Sequence, residues 1–108
     1  MGFYEVAKKD LIPEGSMKAF KIQGKDILVV NYKGSCYAIS SKCTHAGGDL
    51  SKGVLEGNII RCPRHGSKFD VTTGKNTAGP KIGFLKLKTP DELAYEVKIE
   101  GESIMVNI

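Results

Sequence analysis

The sequence predicts an all-β protein made of small antiparallel sheets, and three features lead there. Short apolar stretches with period-two alternation recur along the 108 residues, Gly-containing turns separate them, and no long apolar stripe at helical spacing appears. One stretch, from Cys43 to His65, is organised differently and carries the candidate chemistry.

Taken in order, Tyr4 to Lys8 alternate as a first strand, and Leu11 to Gly15 form a turn punctuated by Pro13 and Gly15. Met17, Ala19, Phe20 and Ile22 lead to Gly24-Lys25-Asp26. Ile27 to Tyr32 then read as a buried strand, so residues 17–32 are expected to be a hairpin. Lys33-Gly34 turns the chain into Ser35 to Ser40. Cys36 lies in that strand with no activating His beside it, and free Cys commonly packs as a small hydrophobe.

Further on, Val54-Leu55 and Ile59-Ile60 flank Gly57-Asn58, a hairpin signal. Val71 to Lys81, with Thr72, Thr73, Gly74, Asn76, Gly79 and Pro80, is a loop by composition. Ile82 to Lys88 and Leu93 to Glu100 read as strands, and Gly101-Glu102 turns into a last one, Ser103 to Ile108. Leu93, Tyr95, Val97 and Ile99 are expected on one face, with Glu92, Ala94, Glu96, Lys98 and Glu100 on the other.

The length suits one domain, residues 1–108, burying about 60 to 68% of the surface its unfolded chain exposes. Hydrophobic content of 41% and charged content of 26% are ordinary for a soluble protein. The apolar run Ile27 to Val30 is far too short to cross a bilayer, so no membrane association is expected. The start Met1-Gly2-Phe3-Tyr4-Glu5-Val6 lacks secretion and myristoylation signals. An odd count of three cysteines, two of them in a metal-like pattern, fits a reducing compartment, so a cytoplasmic location is expected.

The formal net charge is +4. Between Lys42 and Lys75, six basic residues (Lys42, Lys52, Arg61, Arg64, Lys68 and Lys75) face three acidic ones (Asp49, Glu56 and Asp70), giving +3 in that segment. This is either a scattered solvated surface or a basic rim that steers an acidic partner. Basic blocks interleaved with aromatics are absent, which argues against nucleic acid.

The segment from Cys43 to His65 holds two loops, Cys43-Thr44-His45 and Cys62-Pro63-Arg64-His65, separated by residues 46–61. Together they offer two thiolates and two imidazoles, a set suited to zinc or to an iron-sulfur cluster. Zinc sites of that composition usually keep ligands of one kind together, two Cys and then two His. Here each loop mixes them, which suits a centre where one iron takes both thiolates and the other both imidazoles. Glycines 47, 48 and 66 let backbone approach such a site, or serve as plain turn residues.

The runs Cys43-Thr44-His45-Ala46-Gly47-Gly48 and Cys62-Pro63-Arg64-His65-Gly66-Ser67-Lys68-Phe69-Asp70, followed by Thr73-Gly74 and Gly79-Pro80, resemble the two ligand boxes and covering segment of Rieske proteins. With its flanking strands, the chain is most similar to small stand-alone Rieske-type ferredoxins. The resemblance implies Rieske-like antiparallel sheets or a sandwich, with a cluster-binding subdomain at about residues 42–81 formed by two loops. It implies one 2Fe-2S cluster, with Cys43 and Cys62 holding one iron and His45 and His65 the other. It places Pro80 in a segment covering the cluster.

High-potential respiratory members of the family carry a disulfide between the loops, at positions that correspond here to Gly48 and Arg64, and neither is Cys. They also use a Ser and a Tyr hydroxyl to donate to sulfur, and here these positions are Ser67 and Phe69. One donor fewer favours the oxidised cluster, so a potential in the lower half of the Rieske range of about −150 to +300 mV is expected.

With two histidines in the chain, both spoken for, a second iron site of two His and a carboxylate cannot form, and no phosphate loop, dinucleotide fingerprint or Ser/Cys–His pair is present. The chain is therefore expected to be no enzyme but a monomeric electron carrier, taking electrons from a reductase and passing them to an oxygenase or another oxidoreductase. The competing expectations are a redox sensor or small Rieske subunit of a larger oxidoreductase, and a Cys2His2 zinc structural module.

Overall fold

Four apolar residues in a row, Ile27 to Val30, are all fully buried, and this decides the architecture. Successive side chains of a strand point to opposite faces, so a strand buried at every position must have a packed layer on each side. The computed structural model describes residues 2–42, 48–64, 66–78, 81–82, 85–86 and 91–108. Its strands are β1 (Phe3–Lys8), β2 (Met17–Ile22), β3 (Lys25–Tyr32), β4 (Ser35–Ser40), β5 (Val54–Glu56), β6 (Ile59–Arg61), β7 (Lys68–Asp70), β8 (Asn76–Ala78), β9 (Lys81–Ile82), β10 (Leu85–Lys86), β11 (Ala94–Tyr95), β12 (Val97–Glu100) and β13 (Ser103–Asn107). Among the described residues there is no α-helix, only two single-turn 3₁₀ segments, Lys9–Leu11 and Leu50–Lys52.

These strands build a sheet β11-β4-β3-β2 flanked by β1-β13-β12 and by β5-β6-β7-β8, with β9 and β10 paired separately, all antiparallel. Ile27 and Val29 of β3 pack with Ala38, Ile104 and Val106 on one side. Leu28 and Val30 pack with Ile39, Leu50, Ile60, Phe69, Val71 and Cys62 on the other. Burying each such aliphatic side chain contributes about 1.5–3 kcal/mol, so β3 holds both flanking layers to one another. The first core is structural. The second ends at a candidate metal ligand.

The expected all-β antiparallel architecture is what the chain adopts, but four boundaries differ. The turn placed at Gly24-Lys25-Asp26 is the two-residue loop Gln23-Gly24, both at positive φ (51° and 76°), as a type I′ turn requires, so β3 already starts at Lys25. The expected loop Val71–Lys81 does contain a tight turn. Asp70 Oδ1 accepts from the Thr72 amide and hydroxyl at 2.9 and 2.7 Å, and the Gly74 amide donates to the Asp70 carbonyl at 2.7 Å. Burial pushes the Asp70 carboxyl up, but hydrogen bonds from Thr72 and Asn58 outweigh it and hold the group below its ordinary range. Past that turn the chain pairs with β7 as β8, which the Thr- and Gly-rich composition concealed.

The expected strand Ile82–Lys88 is instead the short pair β9 and β10, and the remainder of that stretch lies outside the described residues. The expected strand Leu93–Glu100 is split at Glu96. β11 pairs with β4, whereas β12 pairs with β13 in a different sheet. Its predicted faces fail at the front, where Glu92 is 4% exposed and Leu93 58% exposed. Backbone bonds overrule the alternation there: the Glu92 amide donates to the Gly74 carbonyl at 2.7 Å and the Ser40 amide to the Leu93 carbonyl at 2.9 Å.

Candidate metal centre

The second loop is a hairpin between β6 and β7, closed by the Cys62 amide donating to the Ser67 carbonyl at 2.7 Å. Strand alternation then fixes which residues turn inward. Ile60, Cys62, Ser67 and Phe69 are buried, while Arg61, Arg64 and Lys68 are exposed. Gly66, at φ 78°, makes the return possible, and no described atom lies within 4 Å of where its Cβ would stand.

The first loop leaves the end of β4 and is pinched at its neck. Lys42 and Asp49 form an isolated antiparallel bridge, and the Leu50 amide donates to the Ser41 carbonyl at 2.8 Å. Asp49 also fixes the outgoing chain, since its Oδ1 accepts from the Ser51 amide at 3.0 Å and hydroxyl at 2.6 Å. Sequence reading assigned Asp49 only a charge; an Asp two residues before a Ser at a turn is the signal that it caps.

The two loops meet at Gly48. A Cβ at this position would stand 2.9 Å from Cys62 Sγ and 3.2 Å from Arg64 Cγ, closer than side-chain carbons pack. Gly48 is therefore glycine because the sulfur of the other loop lies against it. The same contact places Gly48 and Arg64 side by side, with the Arg64 stem over the glycine. Gly53 has a similar role, because a Cβ there would collide with the Arg61 carbonyl and crowd that of Leu50.

Of the four candidate ligands, Cys62 is described, and it is buried as a free thiol within the second core. Cys43, His45 and His65 lie outside the described residues, as do Gly47 and Pro80. What the structure brings together is the exit of the first loop and the thiol of the second. Ser67 adds a separate observation: it is fully buried, and its hydroxyl has no hydrogen-bond partner among the described residues. An unmade bond of that kind costs about 1–3 kcal/mol. A buried hydroxyl donor and a thiol pressed against a glycine fit a group that offers inorganic sulfur as acceptor and iron as the thiol's partner.

Cys36 is elsewhere. It pairs with Asn31 and packs, half-buried, against the first core. Four residue steps of strand, about 13 Å, take the chain from it to Ser40, after which the first candidate ligand loop begins. Burial pushes its thiol up, outweighing the nearby Lys9 charge, so it stays protonated at neutral pH. Cys36→Ser is accordingly expected to leave the visible spectrum of the purified protein unchanged; bleaching would make Cys36 a ligand.

The profile of the Rieske 2Fe-2S domain family matches residues 2–90. The chain belongs to that family. A Rieske 2Fe-2S cluster is therefore its cofactor. The chain is 38% identical over 104 residues, 96% of this chain and 93% of the relative, to the ferredoxin component of the naphthalene 1,2-dioxygenase/salicylate 5-hydroxylase systems of a Ralstonia species. Among solved structures it is similar to the ferredoxin of carbazole 1,9a-dioxygenase from Nocardioides aromaticivorans IC177, with 33% identity, a TM-score of 0.81, and 98% and 97% of the two chains covered. A ferredoxin solved in complex with the oxygenase of a carbazole 1,9a-dioxygenase aligns at 26% identity and TM-score 0.84, over 96% of this chain and 100% of that one. No helix among the described residues is long and apolar enough to cross a membrane.

Proposed function

We propose that this chain is a one-electron carrier that takes electrons from a reductase and delivers them to an oxygenase, in the manner of the dioxygenase ferredoxins it resembles. The observation that carries the reading is the seating of Gly48 against the Cys62 sulfur, which joins the two ligand loops at one point. Cys43 and Cys62 are the thiolate ligands, and His45 and His65 the imidazole ligands. When bound, the cluster supplies a centre that gains and loses one electron without bond making in the protein.

The residues around it set how and where. The second core encloses Cys62 and keeps water from that side of the site. Ser67 would donate its hydroxyl, which has no partner among the described residues, toward sulfur, while Phe69, fully buried, offers no donor. Two imidazoles in place of two thiolates lower the negative charge and raise the potential, and the single hydroxyl donor limits the rise, so the potential belongs in the lower half of about −150 to +300 mV. With both histidines used as ligands, the chain keeps no catalytic site of its own and works as a single domain in the cytoplasm.

Iron and acid-labile sulfide assays with the visible spectrum of anaerobically purified protein test the reading. Equal amounts of iron and sulfide, two of each per chain, are expected; one zinc per chain without sulfide would overturn it. Ser67→Ala is expected to lower the midpoint potential by about 60 mV, equivalent to about 1.4 kcal/mol, the size of one hydrogen bond. An unchanged potential would show that the hydroxyl does not reach the cluster.

A further inference from the structure

Part of the excess positive charge around the candidate ligand loops is clustered. Arg61 of β6 and Lys68 of β7 stand directly opposite each other in the register, in the row of the sheet next to the hairpin that begins at Cys62. Val54 of β5 is the next neighbour across from Arg61 and is 46% exposed. All three side chains lie on the solvent face, because the alternate positions Leu55, Ile60 and Phe69 turn into the core.

Folding gains nothing from this row. Like charges directly opposite across two strands repel, and neither Arg61 nor Lys68 has an ion-pair partner among the described residues, where the pairs are Lys8–Glu5, Lys42–Asp26 and Lys98–Glu100. The acids of the same face, Glu56 and Asp70, are two residues further along, about 7 Å away. Asp70 is already occupied by Thr72. Arg64, exposed on the loop itself, extends the positive charge toward the ligands.

Two unneutralised cations beside an exposed apolar side chain, at the edge of the loop that carries Cys62 and His65, are the chemistry of a protein interface and not of a solvated wall. We propose that Val54, Arg61 and Lys68 form the docking surface for a redox partner protein that presents clustered carboxylates. The proposal rests on the assignment of the two loops as the cluster's holders, since only then does this row flank the point where the electron leaves.

The test follows oxidation of the reduced protein by two reporters of opposite charge, the acidic haem domain of cytochrome b5 and the basic cytochrome c. In each case one electron leaves this protein and one ferric haem becomes ferrous. At about 0.01 M ionic strength, where charges act over about 30 Å, R61Q/K68Q is expected to slow the reaction with cytochrome b5 on the order of tenfold. It should speed that with cytochrome c, and R61E/K68E should exaggerate both changes. K9Q/K33Q removes the same charge outside the β5-β6-β7-β8 sheet, Lys9 following β1 and Lys33 lying in the turn from β3 to β4, and should alter neither rate. Rates indifferent to R61Q/K68Q, or an equal response to K9Q/K33Q, would overturn the docking surface. A parent protein lacking the visible spectrum would instead sink the cluster assignment, so the two failures are distinguishable.

Discussion

Replacing His65 by alanine is expected to abolish the bound cluster while leaving the protein folded. The reason lies in how the second loop is held. Its hairpin is closed by backbone, Cys62 amide to Ser67 carbonyl, and its inward side chains Ile60 and Phe69 are locked in the core independently of position 65. The fold therefore does not depend on the imidazole. The proposed iron does, because the chain has two histidines and a methyl group in place of one leaves that iron with a single protein ligand. Loss of the visible absorption and of iron and sulfide, with unchanged far-UV dichroism, is the expected result. Retained colour with retained electron transfer would remove His65 from the ligand set.

How much of this was legible beforehand depends on the kind of interaction. The apolar run Ile27–Val30 announced a strand buried on both sides, and the structure puts a layer on each. The hairpin around Gly57-Asn58 was equally plain, because local turn chemistry specifies it. Leu93 misled because its apolar side chain suggested burial, whereas backbone bonds from Ser40 and to Gly74 fix that segment with Glu92 inward. No periodicity in a single stretch encodes contacts with residues about 20 to 50 positions away. The split at Glu96 has the same origin, since the Asn107 amide bonds its carbonyl from another sheet.

Glycines divide along the same line. The sequence marked 47, 48 and 66 alike as candidates for close approach, and among the described residues Gly48 faces the Cys62 sulfur while no atom lies within 4 Å of a Gly66 Cβ. What separates them is the neighbour across the loop, which only the tertiary arrangement supplies. At Gly53, likewise, it is the Arg61 carbonyl across the turn that leaves no room for a Cβ. The two mixed Cys/His loops and their resemblance to the Rieske boxes supplied the four candidate ligands, while Asp49 at the neck and Gly53 under β6 emerged only from the fold.

Phe69→Ala is expected to cost about 3–5 kcal/mol of stability, read as a lower midpoint in urea or guanidinium unfolding. Phe69 is fully buried, faces Ile60 across β6 and β7, and belongs to the same core as Leu28, Val30, Ile39 and Cys62. Truncation removes a ring from between two sheets, which close-packed neighbours cannot fill by collapse without moving β7. A typical domain is stable by about 5–15 kcal/mol, so the loss is a large share of the total. It also reaches the proposed cluster site, because β7 leads directly from Ser67 and Phe69 shares its core with Cys62. Faster loss of the visible spectrum on warming should therefore accompany the lower stability. Leu93→Ala offers the contrast: that side chain is 58% exposed, and its truncation should change stability by no more than about 0.5 kcal/mol. If the two substitutions proved equally costly, the second core would not be what holds the ligand hairpin in place.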